Sequence, residues 1–208
     1  MAFLPTQHLR AGNTALRVVP LSPDLLPQLM RLQAVAYAGQ PVLETEAFFA
    51  NRLALAPQGC LAVVTAAYGS AGGQPAGTLA GYLISHPWHA GLPPALGVTL
   101  DTLPADDACF WYLHDCAISP LWRGQGMAQR LLATAGRLGQ AHGMRGLRLV
   151  SLGSAVRFWQ RHGFVTLGGD ELTLPASGVC AADDRTRQLR AKLADYGTGA
   201  RFMQHLFS

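Results

Sequence analysis

The sequence is poor in lysine, and a long central stretch contains no acidic residue. Lys192 is the single lysine, and residues 116–169 contain seven arginines but no aspartate or glutamate. The chain before this stretch has seven acidic residues against four arginines. A basic stretch without acids is an electrostatic footprint for an anionic ligand. Charge alone is equally compatible with a solvated basic surface or with nucleic-acid binding.

Long apolar runs and export signals are missing as well. No segment approaches the roughly 20 apolar residues that cross a bilayer. The N-terminus, M-A-F-L-P-T-Q-H-L-R, lacks a basic start followed by an apolar stretch. The four cysteines form neither a C-x-x-C pair nor a dense framework, which favours reduced thiols. We therefore expect a cytoplasmic location and no membrane partner.

Composition and periodicity predict one globular α/β or α+β domain. Of 208 residues, 50% are apolar and 13% are charged, and no repeat or linker divides residues 1–208. Strands alternate with helices, and residues 86–108 are expected to form a long irregular loop, with an insertion at 168–199 before the last strand. The predicted strands cover residues 16–19, 60–67, 78–84, 109–118, 147–151, 164–167 and 201–206, and the helices 22–36, 45–56, 126–142, 154–162 and 183–194.

One stretch, C-A-I-S-P-L-W-R-G-Q-G-M-A-Q-R-L-L at residues 116–132, joins a strand, a glycine turn and a helix N-terminus. A helix N-terminus offers unpaired N–H groups, and glycines let the backbone approach a ligand closely, so this stretch predicts a phosphate cradle. A nucleoside-triphosphate loop needs G-K-[ST], but Lys192 is far away. A dinucleotide fingerprint needs Gly or Ala at Gln129 and an acid about 20 residues later, but none occurs before Asp170.

The motifs resemble those of the GCN5-related N-acetyltransferases, the GNAT superfamily. Residues 123–128, R-G-Q-G-M-A, match the signature R/Q-x-x-G-x-G/A, and residues 155–164, A-V-R-F-W-Q-R-H-G-F, resemble A-x-x-F-Y-x-x-x-G-F. Residues 201–206 are similar to the last strand of many members. The resemblance implies a GNAT fold, with a central mixed and mostly antiparallel twisted sheet flanked by helices on both faces. It also implies acetyl-CoA as cosubstrate, and dimers are common in the family.

The resemblance carries a set of cofactor-binding residues onto this chain. Backbone N–H groups of the glycine turn would hold the pyrophosphate, and the end of the preceding strand would pair its backbone with the pantetheine arm. Arg161 could meet a phosphate of CoA, although a solvated surface arginine is an equal alternative. The implied residues are Cys116, Ala117, Ile118, Arg123, Gly124, Gln125, Gly126, Met127, Ala128, Ser154, Phe158 and Arg161.

His114 is the expected general base. Strict alternation along the strand places Tyr112, His114 and Cys116 on one face and Asp115 on the other. The segment resembles the strand that carries two histidines in the serotonin N-acetyltransferases of this superfamily, and an imidazole titrates near neutral pH. The alternative is a histidine packed beside the core. A Cys116–His114 pair stays open, although an isolated buried thiol is favoured.

The general acid is less evident, because Trp159 stands where the family often has tyrosine, and an indole N–H is not a usable acid. Tyr112, Ser154, Tyr196 or a water are the substitutes, and an ordinary packed tyrosine is the favoured alternative for Tyr196. Glu44 and Glu46 hint at a cationic acceptor such as a primary amine, although two exposed acids at a helix start would look the same.

The sequence thus predicts direct acetyl transfer from acetyl-CoA to a small-molecule amine. We expect no metal, because the pair His86 and His89 is interrupted by Pro87 and lacks further ligands. We expect no nucleic-acid partner and allow for a homodimer. A non-catalytic CoA-sensing or partner-binding domain is the main alternative, favoured by the missing tyrosine, and nucleic-acid binding is the weakest.

Overall fold

The computed structural model describes residues 8–11, 14–65, 77–104, 107–169 and 182–208. Eight strands and five α-helices make up this part of the chain. The strands are β1 (His8–Ala11), β2 (Thr14–Pro20), β3 (Cys60–Thr65), β4 (Leu79–His89), β5 (Ala108–Ile118), β6 (Gly146–Ser151), β7 (Val165–Thr166) and β8 (Arg201–Leu206). The helices are α1 (Leu26–Ala36), α2 (Glu46–Leu55), α3 (Met127–Ala141), α4 (Val156–Arg161) and α5 (Ala182–Ala194).

The strands form one mixed sheet in the order β1-β2-β3-β4-β5-β6-β8-β7. Every neighbouring pair is antiparallel except β5 and β6, which run parallel. A parallel pair needs a long crossover, and α3 supplies it. The expectation of a mixed and mostly antiparallel sheet is confirmed.

Helices cover both faces of the sheet, and each face has its own apolar core. On one face, the apolar stripe of α3, with Met127, Leu131 and Ala135, packs against Trp111 and Leu113 of β5. On the other face, α1 and α2 contribute leucines and phenylalanines that pack against alternate residues of β3 and β4. We call these two sides of the sheet the α3 face and the α1–α2 face.

The irregular loop expected over residues 86–108 is shorter than predicted. Strand β4 continues to His89, and Pro87 pairs with Trp111 of β5. Proline is tolerated here because the pairing of β4 with β3 ends at Ile84, so that at Pro87 one side of β4 is an edge in the described part. The insertion expected at 168–199 contains α5, and its residues 170–181 lie outside the described residues. No helix within the described ranges is long and apolar enough to span a membrane.

Candidate active site between two diverging strands

The parallel strands β5 and β6 stay paired over only three residues. Pairing runs from Trp111 to Leu113 on β5, yet β5 continues to Ile118 along β4 and β6 continues to Ser151 along β8. Past Leu113, the edge of β5 towards β6 therefore has no strand partner in the described part. Two chambers lie at this opening. One is an outer pocket of about 420 Å³ beside α3 and α4. The other is an inner cavity of about 40 Å³ on the α1–α2 face.

A β-bulge at His114 determines which side chain enters which chamber. Ile84 of β4 pairs with Asp115, whereas the next residue, Ser85, pairs with Leu113, so His114 is an extra residue on β5. A bulge breaks the alternation of a strand. His114 and Asp115 consequently both line the inner cavity, whereas Cys116 lines the outer pocket. The expectation that Cys116 shares a face with His114, and that Asp115 does not, is wrong.

The outer pocket is built on the N-terminus of α3. Gly124 and Gly126 have positive φ angles of 76° and 74°, and the latter caps the helix without a side-chain hydrogen bond. The first backbone bond into the helix runs from the amide of Arg130 to the carbonyl of Gly126, at 3.2 Å. Among the described residues, the amides of residues 124–129 donate no hydrogen bond. The first turn contains no acid, so this end presents a consecutive set of free N–H donors and the positive end of the helix dipole.

Most of the residues that the resemblance assigned to the cofactor meet in this pocket. Those that line it are Cys116, Ile118, Arg123, Gly124, Gly126, Met127, Ala128, Phe158 and Arg161. Three do not. Ala117 points into the core of the α1–α2 face, Ser154 is exposed on a short 3₁₀ turn, and Gln125 lies within the glycine turn.

The pocket also contains lining residues that the sequence motifs did not assign. They are Trp122, Gln129, Ala155 and Trp159. Trp159 packs edge-on against Phe158 and Phe164, with ring centroids 5.0 and 5.3 Å away, so it forms both pocket wall and core. Arg123 and Arg161 are exposed at the rim, and no acid among the described residues lines the pocket.

The inner cavity contains a buried carboxyl–imidazole pair. His114 Nε2 lies 3.1 Å from Glu44 Oε1, and both side chains are almost fully buried. Burial lowers the pKa of His114 to about 3, and the positive charge of Arg52 contributes. Burial also raises the pKa of Glu44, against the opposing effects of the Gly97 amide and Arg52. Burial therefore acts against the charged form of each group, and the Arg52 guanidinium opposes this effect at Glu44.

The backbone of Glu44 is held by a buried glutamine of α1. Gln33 accepts from the amide of Glu44 at 2.6 Å and donates to its carbonyl at 2.9 Å. The carboxylate is thereby fixed opposite His114, although 70 residues separate the two in sequence. Glu46, in the first turn of α2, is exposed, so the alternative of two exposed acids holds for Glu46 only.

Asp115 is held by two tyrosines at the edge of the cavity. Tyr37 donates to Oδ1 at 2.6 Å and Tyr82 donates to Oδ2 at 2.7 Å. Burial raises the pKa of Asp115 to about 6 even though both hydrogen bonds lower it. Because both oxygens already accept, Asp115 organises the cavity wall rather than offering a free base.

Tyr112 and Tyr196, the two tyrosines considered as the general acid, both lie close to His114. Tyr196 lines the inner cavity, and its Oη is buried without a hydrogen-bond partner. Tyr112 is buried, its ring centroid is 5.7 Å from that of His114, and its hydroxyl neighbours Tyr196. Burial raises the pKa of both tyrosines, so both hydroxyls stay protonated at neutral pH.

The connection after β4 closes the inner cavity. Leu96 lines the cavity, and the chain beyond it is bound to α2. Arg52 donates to the carbonyl of Val98 at 2.8 Å, and Asn51 exchanges two hydrogen bonds with the backbone of Leu100, at 2.9 and 3.0 Å.

In the described ranges, no group of three or more His, Cys, Asp or Glu side chains could hold a metal ion.

Comparison with known proteins identifies the family. The model of the family described as "Acetyltransferase (GNAT) family" matches residues 26–164, which is more than half of the chain. The chain therefore belongs to the GNAT family of acetyltransferases. No curated protein sequence matches it.

Solved structures agree on the fold. Ard1 from Thermoplasma volcanium is 14% identical with a TM-score of 0.59, covering 93% of this chain and 98% of its own. A GNAT-family acetyltransferase from Listeria monocytogenes is 15% identical with a TM-score of 0.56, covering 97% and 100%. Naa50 from Arabidopsis thaliana, in complex with the bisubstrate analogue CoA-Ac-MVNAL, is 12% identical with a TM-score of 0.58, covering 92% and 99%. At these identities the likeness concerns the fold, and it confirms the GNAT fold expected from the motifs.

Proposed function

We propose that the protein transfers an acetyl group from acetyl-CoA directly to the amine of a small molecule. The observation that supports this proposal best is the bulge in β5. It turns His114 into the inner cavity while Cys116, two residues along, lines the outer pocket. A donor in the outer pocket and an acceptor in the inner cavity would thus meet at the open edge of β5.

The outer pocket fits the chemistry of CoA. The free amides of residues 124–129 would hold the pyrophosphate, and Arg123 and Arg161 would meet phosphate charge at the rim. The unpaired edge of β5 would receive the amides of the pantetheine arm as an added strand. When bound, acetyl-CoA supplies an activated acetyl group as a thioester near Cys116.

Glu44 and His114 together form the proposed base. An imidazole whose pKa is lowered to about 3 cannot by itself retain a proton at neutral pH. Because burial raises the pKa of Glu44, the pair can take the amine proton at His114 Nδ1 while the Nε2 hydrogen passes to Glu44 Oε1. Cys116 does not take part as a nucleophile, because burial raises its pKa to about 12 and it lies on the other face from His114.

Tyr196 is the proposed acid for the departing thiolate. It lines the cavity with His114 and keeps its proton at neutral pH. Tyr112 stands next to it, with its own hydroxyl in the neighbourhood of that of Tyr196. Ser154 lines neither chamber, and Trp159 lacks an acidic group.

The inner cavity favours a small cationic acceptor. Two carboxyl groups, Glu44 and Asp115, line it, and within the described ranges no arginine or lysine does. The bound segment from Val98 to Leu100 covers the α2 side of the site. This cover supports a small molecule over an extended peptide, although the Arabidopsis neighbour was solved with a peptide-containing analogue.

The cysteines in the described part are free thiols, which fits the expected cytoplasmic location.

A CoA-binding domain without catalysis is the second candidate. Trp159 lines the outer pocket where a family tyrosine is often found, and no tyrosine in the described part of the chain lines that pocket. Such a domain would bind CoA but would transfer acetyl to no amine.

The first experiment is a thermal melt with acetyl-CoA, ADP-ribose or NAD at equal concentration. A ligand at 100 times its Kd adds about 2.7 kcal/mol of stability. Selective stabilisation by acetyl-CoA is expected. An equal shift with all three ligands, or no shift, would contradict the cofactor assignment.

An amine panel follows, with free thiol as the readout. Turnover by the wild type and its loss in His114→Ala are expected. Turnover unchanged in His114→Ala would overturn the base, and acetyl-CoA binding without any turnover would favour the second candidate.

A further inference from the structure

Buried polar atoms without partners are concentrated around His114. Among the described residues, eight side-chain nitrogen or oxygen atoms are buried without a hydrogen-bond partner. Five of them belong to one contiguous group: Glu44 Oε2, His86 Nε2, Tyr112 Oη, His114 Nδ1 and Tyr196 Oη. Such atoms are costly unless ordered water satisfies them. His86 is the member of this group that the proposed reaction does not use.

The tautomer of His86 follows from its backbone contact. Its Nδ1 lies 2.9 Å from the carbonyl oxygen of Pro87. A carbonyl can only accept, so Nδ1 carries the hydrogen and, in the neutral ring, Nε2 is a bare acceptor. Burial lowers the pKa of His86 to about 3, which keeps the ring neutral. Nε2 therefore requires a donor.

The Nδ1 atom of His114 is also buried without a hydrogen-bond partner. Its Nε2 faces the Glu44 carboxyl at 3.1 Å, and a carboxylate there accepts the Nε2 hydrogen. Nδ1 is then a second bare, buried acceptor. The two imidazole rings are neighbours, with centroids 5.9 Å apart and planes tilted by 35°. This separation is too large for a direct hydrogen bond in most ring orientations and suits a single bridging molecule.

We propose that a buried water bridges His86 Nε2 and His114 Nδ1, and that His86 is a positioning residue for His114. The water donates one hydrogen to each ring nitrogen. The resulting chain runs from the Pro87 carbonyl through His86, the water and His114 to Glu44, and every donor in it meets an acceptor. The chain selects the tautomer of His114 that carries its hydrogen on Nε2, towards Glu44.

The bulge and the strand pairing make this arrangement rigid. His86 lies on β4 opposite Tyr112, whose ring centroid is 5.7 Å from those of both histidines. Phe48 packs against the other side of the His114 ring, at a centroid distance of 4.6 Å. The aromatic contacts therefore fix the position of the His114 imidazole. The hydrogen bonds proposed at its two nitrogens fix its orientation.

Two measurements on the wild type test the proposal without reference to activity. A crystal structure at high resolution should show a water within hydrogen-bonding distance of both ring nitrogens. Nitrogen NMR of labelled histidine should show His114 protonated at Nε2 and bare at Nδ1. Direct contact between the two rings, absence of the water, or a proton on His114 Nδ1 would overturn it.

Two variants test the positioning role, which rests on the proposed function. His86→Leu removes the acceptor, whereas His86→Gln retains an oxygen near the position of Nε2. We expect His86→Leu to lower kcat about 10- to 100-fold with little change in the KM for acetyl-CoA, and His86→Gln to recover most of that loss. His89→Leu is the control and should keep wild-type kcat, because His89 lies on the same strand with its Nδ1 accepting from the Gly91 amide rather than facing His114.

A wild-type kcat in His86→Leu would overturn the positioning role. Should His86→Leu fail to fold, the tautomer of His114 in His86→Gln decides the same point, because loss of the Nε2–H tautomer there contradicts rescue. If the wild type shows no turnover with any amine, the proposed function fails, whereas the water and the tautomer still decide this inference.

Discussion

Replacing Gly124 by alanine separates the backbone cost of a glycine from its role in the cradle. Gly124 lines the outer pocket with a φ of 76°, and a Cβ there would meet no protein atom within 4 Å, so the added methyl group would occupy open space where Gly124 borders the pocket. Gly143, after the other end of α3, offers a matched control. Its φ is 69°, a Cβ there also meets nothing within 4 Å, and it lies outside the pocket.

Both substitutions impose the same backbone strain. A left-handed alanine costs about 1–2 kcal/mol, and the lower entropy of the unfolded chain returns about 0.4–1 kcal/mol. We therefore expect each variant to lose about 1 kcal/mol, or about 2–4 °C in Tm for a chain of this size. Only Gly124→Ala should also displace a phosphate from an amide donor. A hydrogen bond to a charged group contributes about 1.5–3 kcal/mol, so its Kd for CoA should rise about 10- to 150-fold.

Titration calorimetry with CoA and a thermal melt without ligand measure the two effects independently. We expect equal losses of Tm in the two variants and a weakened Kd for CoA in Gly124→Ala alone. A wild-type Kd in Gly124→Ala, or an equal weakening in Gly143→Ala, would show that residues 124–129 are not the phosphate cradle.

Three further predictions concern the inner cavity and its supports. Glu44→Gln should lower kcat about 100-fold or more in steady-state assays, whereas Glu46→Gln, an exposed acid on the same segment, should not; equal kcat in both would remove Glu44 from the base. Thr45→Ala should cost about 1 kcal/mol in urea unfolding, because the Thr45 hydroxyl caps α2 by accepting from an amide at 3.2 Å, and no loss would contradict the cap. Between pH 6.5 and 5 the unfolded chain protonates His86 while the folded protein, in which its pKa is about 3, does not. The wild type should therefore lose about 1.6 kcal/mol relative to His86→Leu over that interval, and parallel pH profiles of unfolding free energy would show that His86 titrates normally when folded.

The cradle could be predicted from the sequence because its parts are local. Residues 116–132 contain the strand end, the glycines and the helix start in one stretch, and their conformations follow from short-range rules. The pocket residues contributed by α4, such as Phe158 and Arg161, were found through a second local motif.

The inner cavity could not be predicted in the same way. Glu44, His114 and Tyr196 lie far apart in the chain, and the packing of α1, α2 and the segment between α5 and β8 brings them together. The burial of Glu44 depends on Gln33, which contacts its backbone across a turn, and local sequence is equally compatible with an exposed acid.

The sequence by itself determined the family, the order of the elements and the phosphate-binding turn, because these depend on residue types and spacings within single segments. The tertiary structure decided which chamber each side chain of β5 enters. A bulge arises from the register between two strands, and the register of β4 against β5 is set by the packing of both faces of the sheet. One extra residue, His114, reverses the facing of Asp115 and Cys116 and so places the base and the thiol in different chambers.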